Sequence, residues 1–136
     1  MIFADPIATA HLLATWFMIG LVVFVQCVHY PLLCDLPPAC VPDYQKAHVR
    51  RTSPMIPVVM LIEAGTAAWL CPRGLWAMAN LGTLAAVWFV TFVLIVPIHQ
   101  RLCRRHDADD VTRLLRWNVV RTMTWLAHGG LAVALI

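Results

Sequence analysis

Four long apolar runs divide the chain: Ile7 to Leu33, Pro54 to Cys71, Leu75 to His99 and Leu115 to Ile136, the last apolar from Val119 onward. Each is about the length at which a helix crosses roughly 30 Å of hydrocarbon. The pattern predicts an all-α integral membrane protein, an antiparallel four-helix bundle formed as one transmembrane domain over residues 1–136. Polar residues collect in the connections 34–53 and 100–114. Cys71-Pro72-Arg73-Gly74, between the second and third runs, is too short to do more than reverse the chain, so those helices are expected to be neighbours. Asp107 to Asp110 put acidic side chains where the last helix begins and its dipole favours negative charge. Asp43 to Arg51 is expected to form a short interfacial helix over one mouth of the bundle.

Two of the runs carry polar residues at helical spacing. His11, Thr15, Met18, Val22, Gln26 and His29 share a face of the first, and Asn118, Arg121, Trp125 and His128 share a face of the last. In lipid such faces turn inward, because an exposed polar group finds no water to replace a lost partner. Pro31, Pro54, Pro57 and Pro97 fall at or near the run ends and are expected to end or bend helices around a pocket.

Composition agrees with lipid as the solvent. Of 136 residues 61% are hydrophobic and 12% charged, with a mean hydropathy of +0.75, where soluble domains are about a quarter charged. Nine of the ten basic residues lie after the first and third runs or at the start of the fourth, leaving Arg73 alone on the other side. The positive-inside tendency then puts those connections in the cytoplasm and both termini on the non-cytoplasmic side, as a multi-pass protein of the bacterial inner membrane. The net charge of +3 is thereby topology and not affinity for nucleic acid. No basic start or cleavage site precedes the first run, which is expected to be retained as a span. Five cysteines show neither C-x-x-C nor paired zinc spacing and are expected to be reduced and mostly structural, with Cys34 and Cys40 in a loop on the cytoplasmic side.

Depth along antiparallel helices brings Gln26, His29, Tyr30, His99, Asn118 and Arg121 to the cytoplasmic third, with Tyr44, His48, Arg50 and Arg51 in the connection above them. Glu63, the one acid inside a span, and His128 fall near the midplane. The expectation is a cavity open to the cytoplasm, basic at its rim and carrying a carboxylate at its floor. His11 is read as too far out to join this group, and His106 as an exposed loop residue.

The stretches Tyr30-Pro31-Leu32, Tyr44-x-x-x-His48-x-Arg50-Arg51, Glu63 in the second span, Val96-Pro97-Ile98-His99-Gln100-Arg101-Leu102 and Trp117-Asn118-Val119-Val120-Arg121-Thr122 resemble a family of small bacterial four-span membrane proteins with no established reaction. The resemblance covers most of the chain. A looser similarity connects that family to the anthrone-oxygenase-like four-span proteins, which would imply an oxygenase without an obvious cofactor. Where the pattern leads one to expect an arginine after Trp125, this chain has His128.

These residues point to a membrane-embedded enzyme acting on a lipophilic or amphiphilic molecule. His29, His48, Glu63, Asn118 and Arg121 are the candidate catalytic group, and Tyr30, Tyr44, Arg51, His99 and Trp125 the candidate substrate contacts. The alternatives are a metal or haem redox protein and a non-catalytic assembly partner. His29, His48, Glu63 and His99 are the candidate metal ligands, and His11 with His128 or His29 with His99 the candidate haem pairs. Cofactor-free chemistry is equally compatible. The expected partners are the bilayer, a lipophilic small molecule and, compatibly, a second copy of the chain.

Overall fold

The computed structural model describes residues 5–136, and among these every regular element is helical. We number the longer helices α1 (Pro6–Cys34), α2 (Val41–Thr52), α3 (Ile56–Leu70), α4 (Leu75–Leu102) and α5 (Ala108–Val133). Short 3-10 turns, Pro38–Cys40 and Cys71–Arg73, lead into α2 and extend α3.

Caps and turns define the ends. The Asp5 carboxylate accepts from the Ile7 and Ala8 amides at the start of α1 and pairs with Arg73 at the α3–α4 turn. Gly74, at φ 130°, takes the left-handed backbone that reverses the chain there. Asp107 caps α5 by accepting from the Asp109 and Asp110 amides. Asp110 then binds Arg101 through two 2.8 Å hydrogen bonds, fastening α5 to the end of α4. The Arg101 guanidinium holds the Asp110 carboxyl below the usual carboxylate range.

Four long helices pack in a ring, α1 against α3 and α5, and α4 against α3 and α5. Neighbours run antiparallel: His11, early in α1, meets Thr66 late in α3, and Asn80, early in α4, meets His128 late in α5. Gly129 admits α1 closely, since a Cβ there would overlap the Ile19 side chain. The chain between α1 and α3 folds as a short helix, α2, packed across the end of the bundle against α4.

At two prolines the helix widens and continues where an end or a bend was expected. Pro31 and Pro97 neither end nor break their helices; each is preceded by a π-helical turn, Val25–His29 and Val90–Ile95. A proline clashes with the carbonyl four residues back and offers it no N–H. The widened turn relieves this, with Tyr30 donating to the Val25 carbonyl and Val96 to the Thr91 carbonyl, each five residues back. The helices therefore run on past their prolines, α1 to Cys34 and α4 to Leu102, and α4 carries His99 with it.

α1, α4 and α3 with its extending turn are long and apolar enough to cross a membrane, with mean hydropathies of 2.0, 2.3 and 1.2 over their apolar stretches. Their outward faces leave Leu13, Phe17, Leu61, Trp69, Trp76 and Phe92 exposed, an apolar surface that water would not tolerate. α5 begins with Asp109, Asp110, Arg113 and Arg116, and only its second half presents Val119, Val120, Met123 and Leu126 outward.

Candidate functional site

The inward polar residues form two separate groups. At the end bearing the Cys71–Gly74 turn, His11, Thr15, Glu63, Asn80 and His128 are fully buried and come from all four long helices. Thr15 donates to Glu63 Oε1 at 2.7 Å, and His128 Nε2 lies 3.2 Å from the same oxygen. His128 Nδ1 sits 3.0 Å from Thr83 Oγ1 and 3.1 Å from the Asn80 carbonyl. His11 uses both ring nitrogens, on Thr66 Oγ1 at 3.0 Å and Asn80 Oδ1 at 2.9 Å. Only Glu63 Oε2 in this network has no partner.

At the end covered by α2, a cavity of about 370 Å³ opens among all five helices. Its wall is apolar for most of its extent, with Met18, Val22, Met60, Ile95 and Trp125 among the residues that form it. Tyr30, His48, His99 and Arg121 supply the polar end. Asn118 positions Arg121: its amide donates to Gln26 Oε1 at 2.6 Å, and its carbonyl oxygen accepts from Arg121 Nη2 at 2.5 Å. No carboxylate of the described residues lies within ion-pair distance of Arg121, and its buried Nε has no partner.

Three imidazoles stand in a row beside the guanidinium. His48 stacks between His29, 4.2 Å away, and His99, 5.6 Å away, centroid to centroid and with planes 25° and 23° apart. The outer two are fixed by hydrogen bonds. His99 Nδ1 donates to Gln45 Oε1 at 2.9 Å, which leaves its Nε2 to accept from the Tyr30 hydroxyl at 3.1 Å, and His29 Nδ1 meets the Tyr44 hydroxyl at 3.1 Å. The His48 ring makes no side-chain hydrogen bond among the described residues, so both its nitrogens are available to a molecule in the cavity.

Burial, then the neighbouring His29 and Arg121, push the His48 pKa down from 6.5 to about 4. His48 is therefore a neutral base at pH 7. In the unfolded chain the ring protonates near 6.5 and in the folded chain only near 4, so the native state loses stability as pH falls through that window and is unaffected above it. Histidine-labelled protein observed by ¹⁵N NMR is expected to show the His48 ring neutral at pH 5.5; an imidazolium signal at that pH would contradict the placement.

The structure corrects the expected grouping in two respects. Glu63 does not line the cavity and is not its floor; it belongs with His11 and His128 at the opposite end. Arg50 and Arg51 are exposed and absent from the cavity wall, so the basic rim does not frame it. α2 covers the cavity end of the bundle, where a short helix was expected, and is tied down by the Gln45–His99 and Tyr44–His29 hydrogen bonds. His48, His99, Tyr30, Trp125 and Arg121 come together as a cavity wall, with His29, Tyr44 and Asn118 bonded or stacked behind them.

The candidate cofactor sets fit poorly. Among the described residues no three His, Cys, Asp or Glu side chains converge on a point where a metal could sit, and His29, His48 and His99 present ring faces to one another. A bis-histidine haem needs a nitrogen from each ring on opposite sides of one iron. His11 and His128 stand edge to face 5.5 Å apart with their nitrogens engaged by Thr66, Asn80, Thr83 and Glu63, and His48 fills the space between His29 and His99.

Gln45, Asn80 and the role of His11 were not visible in the sequence. Gln45 sits on a short, mostly polar helix with no apolar signal for its burial, and Asn80 and His11 gain their meaning only from partners 48 to 69 residues away. Compared with known proteins, the chain matches no family model, no curated protein and no solved structure.

Proposed function

We propose that this chain is a four-span inner-membrane enzyme that binds an amphiphilic or lipophilic molecule in the α2-covered cavity and acts on it by acid–base chemistry. The observation that carries the reading is Arg121, a cation without a carboxylate partner facing an otherwise apolar cavity beside a neutral imidazole. An unpaired guanidinium in such surroundings is costly, and an anionic or carbonyl-bearing head group would offset that cost. His48 takes a proton from the bound molecule, and the oxygen that gains the electron pair rests on Arg121. Tyr30 and His99 orient the head group, and the apolar wall takes the remainder.

α5 serves as the fourth span, with Arg113 and Arg116 at the cytoplasmic headgroups and the apolar half beyond Trp117 in lipid. The distribution of basic residues supports a cytoplasmic α2 and outward-facing termini. The segments that resemble the bacterial four-span family contribute Tyr30, His48, His99 and Arg121 to one cavity.

Native mass spectrometry of detergent-solubilised protein, with elemental analysis, tests the proposal. The expected result is a co-purifying amphiphile that is absent from His48→Gln, Arg121→Gln protein. Stoichiometric iron, copper or zinc with no organic ligand would overturn it.

A further inference from the structure

The exposed positions of the cavity wall are not spread around it. Ser53, which caps the end of α2, Pro57, in the first turn of α3, and Phe92 and Gln100, on α4, are its exposed lining residues, whereas those of α1 and α5 are buried or, at Leu21 and Arg121, only partly exposed. The opening is a seam between α3 and α4, two helices joined at the far end by the Cys71–Gly74 turn.

Phe92 and Gln100 are eight residues apart on one helix, so the seam extends on the order of 10 Å along α4. Gln100 marks its polar end, level with His99, and Phe92, 51% exposed and in edge contact with Trp88, marks the apolar end. A slot with polarity graded in this way, in the side of a bundle, matches the gradient of the bilayer beside it. Over His99 the end of the bundle is covered, because Gln45 of α2 is fully buried against that ring and Val41, one turn earlier on α2, is buried as well.

We infer that the cavity takes its ligand sideways from the membrane through the α3–α4 seam, and that the ligand is a long-chain amphiphile whose anionic head reaches Arg121 while its tail stays in the surrounding lipid. This rests on the amphiphile reading above and adds its substrate class and route. A tail left outside the protein makes chain length nearly irrelevant to binding. An enclosed tail would instead be limited by the cavity of about 370 Å³, and chains too long for it would bind much more weakly.

The test uses the full chain with its five native cysteines replaced by serine, carrying Pro57→Cys and Phe92→Cys, in phosphatidylcholine vesicles with radiolabelled palmitate as probe. Bridging the pair with a bis-methanethiosulfonate is expected to slow palmitate loading at least tenfold, and reductant to restore it; unchanged loading would overturn the seam. Relative to their concentration in the membrane, acids of 12 to 20 carbons are expected to bind within about twofold of one another, and a steep dependence on length would overturn the external tail. A phosphatidylcholine with a photoactivatable group midway along one chain provides a readout independent of any fatty acid. It should label Met60 or Ile95, buried inside the seam; labelling confined to the outer helix faces would overturn the opening. Failure of the unbridged protein to load palmitate, with Met60 still labelled, would overturn the anionic head group and leave the opening standing.

Discussion

Replacing Arg121 with methionine is expected to leave the empty protein at least as stable as the parent while removing its ability to retain an anionic amphiphile. Methionine fills a similar volume without bringing a charge into a wall formed by Met18, Val22 and Trp125. Truncating one member of a desolvated charge pair costs about 2 to 5 kcal/mol of binding, so affinity for the acidic ligand should fall between about 30-fold and several thousandfold. The Asn118 oxygen that loses Arg121 Nη2 costs the fold about 1 kcal/mol, which relief from an unpaired cation offsets. Thermal unfolding in detergent, with ligand retention measured on the same sample, separates the two effects. A large drop in stability with binding intact would make Arg121 a strut between α1 and α5.

The opposite balance is expected at Glu63. Alanine there leaves the Thr15 hydroxyl and His128 Nε2 facing an unfilled space in a fully buried layer, and breaking a buried pair from one side costs about 3 to 5 kcal/mol. Glutamine keeps an oxygen for Thr15 and is expected to cost about 1 kcal/mol. In neither variant should the residual folded protein bind its ligand more than about twofold differently, because the carboxylate lies outside the cavity wall. Unfolding by heat or by dodecyl sulfate measures the first effect and native mass spectrometry the second. A stable Glu63→Gln protein that had lost its ligand or its turnover would return Glu63 to the chemistry.

These two residues show how far the sequence could be read. Apolar length located the helices, the α3–α4 turn and the short helix α2, because each follows from local composition. Helical spacing also identified the inward faces of α1 and α5, including Thr15, Gln26, Asn118 and Arg121. Depth alone could not divide those residues between two chambers. Glu63 and Arg121 are both inward and both central in their helices, yet one bonds Thr15 and His128 and the other Asn118, a distinction that depends on helix rotation. Proline was read as an end or a bend because its local effect is a lost hydrogen bond. Whether a helix stops there or widens depends on what packs around it, and here Tyr30 and Ile98, each beside one of the two prolines, are buried in a common core.

Each widened turn inserts an additional residue into a helix, and in an ordinary helix every residue corresponds to 100° of rotation. Beyond Ile95 the side chains of α4 are therefore phased differently from those before Val90, and the same holds for α1 on either side of its own widened turn. The outward-facing stripe and the cavity-facing stripe of one helix can thus be set independently. Shortening either turn by one residue would re-index everything downstream, swinging His99 or Tyr30 off the cavity while leaving the helix uninterrupted and the membrane anchor intact.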